Sequence, residues 1–131
     1  MTRQEITQVR CKKFSQWTRK NLPDSKTGFV VFDVDFIFSN YIKKTIMIIE
    51  EKTHNGECGF AQKKFLELLN KIFKEGCDKT NYDYKGYYTV VFENECFDDG
   101  KCYLIDNQKD NHKKLLIKEK EFIEFVKSKL Q

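Results

Sequence analysis

The stretch Gly28–Thr53 reads GFVVFDVDFIFSNYIKKTIMIIEEKT. Two apolar runs flank a short polar segment, so the pattern predicts a hairpin: a strand over Phe29–Phe38, a turn over Ser39–Lys44 and a strand over Thr45–Thr53. On the first strand Val30, Phe32, Val34, Phe36 and Phe38 share one face, and Phe29, Val31, Asp33, Asp35 and Ile37 share the other. Both faces are largely apolar, which predicts central strands covered on two sides. Acids in such strands need a compensating partner. With the hairpin tip between Tyr41 and Lys44, Asp35 falls opposite Glu50 and Asp33 opposite Lys52. These four side chains then project from one face, while Glu51 points away.

The flanking sequence predicts what covers this hairpin. Residues 3–20 have helical spacing, with Ile6, Val9, Phe14 and Trp17 on one side, and the helix must end before Pro23. Phe60–Lys74 is a second helix, with Phe65, Leu68, Leu69, Ile72 and Phe73 as its apolar stripe and Gly76 as its stop. Strands are expected at Tyr87–Phe92 and Cys102–Ile105, joined through a turn at Asp98-Asp99-Gly100, with a short extra strand at Leu115–Ile117. Glu119–Leu130 closes the chain as a helix with Phe122, Ile123, Phe125, Val126 and Leu130 inward. The fold class expected is α/β, with a central mixed sheet of four to five strands flanked by helices.

The chain has 131 residues, 40% hydrophobic and 15% aromatic, and is read as a single domain spanning 1–131 with one core. The net charge of +4 permits a polyanionic partner. Basic residues concentrate in residues 1–20 and again at Lys109, Lys113, Lys114, Lys118 and Lys120. The five cysteines form no Cys-x-x-Cys, which argues against a zinc site or a disulfide framework. No run reaches membrane-spanning length, and the polar N-terminus has no signal core. These features predict a cytoplasmic protein with free thiols and no membrane partner.

Asp35 and Glu50 on facing strands would repel each other unless a cation sits between them. Hard carboxylate oxygens suit Mg²⁺ or Mn²⁺. Asp33 could replace or join Asp35 as a ligand. Lys52 could orient a water or offset charge on a phosphate. This is equipment for metal-assisted hydrolysis of a phosphodiester, in which the cation acidifies a water and neutralises a phosphate oxygen.

Asp35, an apolar strand, a turn and then Ile48-Ile49-Glu50-Glu51-Lys52 resemble the PD-(D/E)XK nuclease superfamily, which includes restriction endonucleases and Holliday junction resolvases. An acid, any residue and a lysine occur in that order four times, at 24–26, 50–52, 83–85 and 99–101. Only the triplet at 50–52 closes an apolar strand with an acid on the strand before it. Pro23-Asp24 matches the literal "PD" but precedes a polar segment, and Val34 stands before Asp35 where the family's proline would be. The order helix, strands, motif strand, helix, strand is also similar to the family core, over roughly residues 3–106. The resemblance implies a restriction-endonuclease-like core with Asp35 and Glu50 as metal ligands and Lys52 as the catalytic lysine. It further implies a supporting role for Gln62, which starts the following helix, and raises Glu5 as an additional acid on the first helix. The activity implied is that of a Mg²⁺-dependent nuclease acting on nucleic acid, DNA before RNA, from a phage or mobile element, working as a homodimer by analogy. The alternative is the same fold binding nucleic acid or a protein without cutting.

Overall fold

The computed structural model describes residues 13–28, 32–109 and 111–131. They fall in two compact units, Met1–Asp33 and Val34–Gln131. In the first, helix α1 (Lys13–Asn21) ends ahead of Pro23, as the proline requires. Phe14 and Trp17, one turn apart, stack with ring centroids 5.7 Å apart. Residues 3–12 of the expected helix and Glu5 lie outside the described residues, as do Phe29–Val31 of the expected strand.

The second unit is an α/β fold around a five-stranded mixed sheet ordered β1-β2-β3-β4-β5. Strand β1 (Phe36–Asn40) runs antiparallel to β2 (Thr45–Lys52), with Phe36 opposite Ile49 and Asn40 opposite Thr45. Asn40 closes the turn between them: its Oδ1 accepts from the N–H groups of Ile42 and Lys43 at 3.0 Å each. Helix α2 (Phe60–Thr80) then crosses over to β3 (Asp83–Phe92), which pairs with β2 in parallel. Strand β4 (Cys102–Asp106) returns antiparallel to β3, β5 (Leu115–Ile117) adds to β4, and α3 (Glu119–Leu130) follows.

The two helices take opposite faces of the sheet. Ile48 and Tyr87 pack with Leu66 of α2. Met47, Ile49, Tyr88, Val90, Phe92, Leu104 and Ile117 form the larger core with Leu130, Phe122, Phe125 and Val126 of α3. Thr45 ties the end of α3 to the start of β2 by donating to the Leu130 carbonyl at 2.9 Å.

Four expectations need correction. Residues 32–35 are not part of the first strand, which runs Phe36–Asn40 and lies at a sheet edge rather than in the centre. Its ladder stops at Phe36 because side chains take over the next hydrogen bonds, as described below. Helix α2 continues through Gly76, because Cys77 is buried one residue on and Asn81, at φ 61°, supplies the left-handed cap instead. In α2, Leu66 takes the buried position, while Leu68 and Ile72 are each 54% exposed, and Ile123 of α3 is also exposed. The turn after β3 is a short 3-10 segment over Phe97–Asp99, in which the Asp99 carboxylate accepts from the N–H groups of Glu95 and Cys96.

One irregularity decides what faces α2. Between the pairs Ile46–Tyr84 and Ile48–Tyr87, β3 has one residue more than β2. This is a β-bulge, and Gly86 within it takes φ +113°, which suits a residue without Cβ. The bulge puts Tyr84 and Tyr87, three apart, on the same α2 side, and leaves Tyr88 against Phe125 of α3 at 4.9 Å between ring centroids.

Candidate active site

The site forms where the β1–β2 ladder ends. One step beyond the Phe36–Ile49 pair stand Asp35 and Glu50. Here the carboxylates replace backbone partners. The Asp35 N–H donates to Glu50 Oε1 at 3.3 Å, and the Glu51 N–H donates to Asp35 Oδ2 at 2.9 Å. The two acids are thereby locked to each other's strands, which also explains why regular pairing goes no further.

Glu50 shares the parity of Ile48, so it projects to the α2 side, where it is fully buried at 0% exposure. Helix α2 meets it with its first turn. Gln62 Nε2 donates to Glu50 Oε2 at 3.4 Å, and Gln62 Oε1 accepts from Lys52 Nζ at 2.9 Å. Gln62 is therefore a bridge between the buried acid and the lysine. The loop from β2 into α2 holds this geometry. The N–H groups of His54 and Asn55 donate to the carbonyls of Asn94 and Phe92, each at 2.9 Å, pinning the loop to the end of β3. Gly59 caps α2.

Burial pushes the Glu50 carboxyl up to about 7, and the nearby Asp35 charge adds to the rise; Lys52 opposes it. Glu51 is raised by burial and by Asp35, though its side chain is exposed. Cys58, in the loop before α2, lies beside Lys52. Burial raises its thiol and the Lys52 charge counteracts that rise. Tyr87 lines the same cavity as Lys52 and Cys58, and its hydroxyl is raised by burial, with Cys58 and Glu50 adding to the rise.

Of the residues singled out by sequence, Asp35, Glu50, Lys52 and Gln62 come together. Asp33 closes the N-terminal unit, exposed and outside any strand. Cys58 was missed, and Tyr87, one of several aromatic residues in the sequence able to stack on a base, could not be assigned to the site. No sequence signal marks Cys58, and Tyr87 reaches the site only through the bulge at Gly86. Among the described residues no group of three or more His, Cys, Asp or Glu is arranged to hold a metal ion by itself. A cation between Asp35 and Glu50 would thus take two hard carboxylates and leave its other positions to water or phosphate, which suits Mg²⁺. A buried acid raised to about 7 by desolvation and a neighbouring carboxylate fits such a group, because a cation would relieve both causes.

No family model matches the chain, and no solved structure matches it. The chain is similar to one relative from Archaeoglobus fulgidus. That protein is described as uncharacterized, and the two are 28% identical over 98 residues. The match covers 74% of this chain and 64% of the relative, so the chain spans less than two thirds of that protein's length. Among the described residues, no helix is long and apolar enough to cross a membrane.

Proposed function

We propose that this protein is a divalent-metal-dependent nuclease that hydrolyses phosphodiester bonds of DNA, built on a restriction-endonuclease-like core. The observation that carries the reading is the chain of contacts Asp35–Glu50–Gln62–Lys52, in which a buried glutamate, beside an exposed aspartate, is joined to a lysine by one amide. The hairpin, the crossover helix and the parallel strand after it, with the Glu50-Glu51-Lys52 triplet at the end of β2, support this reading.

Asp35 and Glu50 would hold Mg²⁺ or Mn²⁺, which when bound supplies an acidified water and charge neutralisation on the phosphate. Glu50 must give up its proton to do so. Lys52, kept in place by Gln62, offsets negative charge that grows on the phosphate oxygens in the transition state. The attacking water loses a proton and forms the new P–O bond. The old P–O bond breaks, and its oxygen takes a proton from solvent, so one diester and one water give a phosphate monoester and an alcohol. A homodimer, on the analogy with resolvases, belongs to the same proposal and is read by sedimentation.

The test is incubation with plasmid, linear, branched and single-stranded DNA, and with RNA, with and without Mg²⁺ or Mn²⁺. Metal-dependent cleavage of DNA, abolished in Glu50→Ala and Lys52→Ala, is expected. Cleavage unchanged in either variant sinks the assignment. Binding without cleavage of any substrate would leave a nucleic-acid-binding module.

A further inference from the structure

Beyond Lys52, the α2 side of the sheet opens into a cavity of about 240 Å³. Three separate elements bring lysines to it: Lys52 from the end of β2, Lys63 from the first turn of α2, and Lys114, beside the His112 imidazole, from the connection between β4 and β5. The floor is different in kind. Tyr87 and Thr89 of β3 are buried there, with the partly buried Ile105 of β4 beside them. Asn107 stands at one wall, anchored by its N–H to the Tyr87 carbonyl at 3.0 Å and by its side-chain amide to Thr89 Oγ1 at 2.7 Å. Glu57 and Glu67 complete the lining.

This mixture fits neither a bare anion nor a purely apolar ligand. Lysines and a histidine suit a phosphate. A floor of aromatic and aliphatic side chains suits a flat base, and carboxylate and amide groups suit the amine edges of bases. The volume, about 240 Å³, is below the roughly 300–1,000 Å³ of drug-sized ligand sites. It leaves room for one nucleotide and not for a base pair. The cavity also begins at Lys52 itself, the residue assigned above to the scissile phosphate, so whatever fills it is the next unit along the same strand.

We propose that this cavity binds a single unpaired nucleotide adjacent to the scissile phosphate, with Lys63 and Lys114 on its phosphate and the Tyr87–Ile105 floor against its base. The protein therefore acts on single-stranded or splayed nucleic acid in preference to a continuous duplex. This inference rests on the nuclease reading for the position of the scissile bond, but its test does not depend on cleavage.

Binding is measured with the full chain in EDTA, by fluorescence anisotropy, using a short single-stranded oligonucleotide and the blunt duplex of the same sequence. Wild type is compared with Lys63→Gln/Lys114→Gln and with a control of equal charge loss on α3, Lys120→Gln/Lys127→Gln. All four lysines are exposed, and melting curves check that both variants remain folded. Counterion release on single strands gives roughly fivefold per lysine at about 0.1 M salt, and on the order of 25-fold for two. The expected result is tighter binding of the single strand than of the duplex, a loss of that order with the Lys63/Lys114 pair, and little change with the control. Equal affinity for both substrates, no binding of the single strand, or equal loss from the two double variants would each overturn the proposal. If Glu50→Ala leaves cleavage intact, the nuclease reading fails while this measurement keeps its meaning.

Discussion

Replacing Glu50 by Gln should make the metal-free protein more stable while removing its proposed activity. The unfolded chain ionises this side chain at the ordinary value of 4.5, whereas burial and the Asp35 charge hold it near 7 in the folded state. Between those values the folded state keeps a proton that the unfolded state has released. Stability from Glu50 is therefore full below pH 4.5, falls as pH rises through the window, and is gone above about 7. The interval corresponds to on the order of 3 kcal/mol. Gln has the same shape, cannot ionise, and can still accept from the Asp35 N–H at the Oε1 position, giving up only the long 3.4 Å contact in which Oε2 accepts from Gln62. In EDTA at pH 8, Glu50→Gln should raise the melting temperature by roughly 10 °C for a chain of this size, and at pH 4.5 the two proteins should melt together. Adding Mg²⁺ at pH 8 should stabilise the wild type and not the variant. A difference that does not change with pH, or a variant less stable than wild type at pH 8, would refute the claim that a desolvated, like-charged carboxylate sits here.

Other consequences follow from the same geometry. Mg²⁺ affinity measured by calorimetry should fall about tenfold per pH unit below 7, because a proton competes for Glu50, and should level off above it. Gln62→Ala removes the bridge between Lys52 and Glu50. It should lower kcat by roughly 10- to 100-fold with little change in KM, the usual effect of losing a residue that orients a site. Gly86→Ala forces a side chain onto φ +113° and brings its Cβ within 3.1 Å of the Tyr88 ring. It should cost about 1–3 kcal/mol in chemical denaturation. Leu66→Ala, at the contact of α2 with Ile48 and Tyr87, should cost about 2–5 kcal/mol in the same assay.

Much of the site was legible in the primary structure because strand geometry is periodic. Equal parity put Glu50 and Lys52 on one face of β2, and the register set by the short turn after Asn40 brings Asp35 beside Glu50. Gln62 was reached only through the resemblance, which implies a supporting side chain at the start of the helix after the motif strand. What failed was the extent of the elements. The first strand is shorter than its apolar run, since the Asp35 and Glu50 side chains take the hydrogen bonds that a longer ladder would need. Helix α2 is longer than its stripe suggested, since burial of Cys77 outweighs the weak helix propensity of Gly76.

The sequence of Gly28–Thr53 by itself narrowed the acids that could meet to Glu50 with Asp35 or Asp33, and set Lys52 on their side. Chain direction and the two-residue repeat leave few alternatives once the turn is known. Tertiary structure alone decided what encloses them. Burial of Glu50 depends on α2 packing across the parallel β2–β3 pair, a contact between residues distant in sequence. The identity of the floor depends on one extra residue in β3, which shifts the alternation and turns Tyr87 rather than Tyr88 toward the acids. No local pattern encodes that choice, because a bulge changes the face of every residue after it.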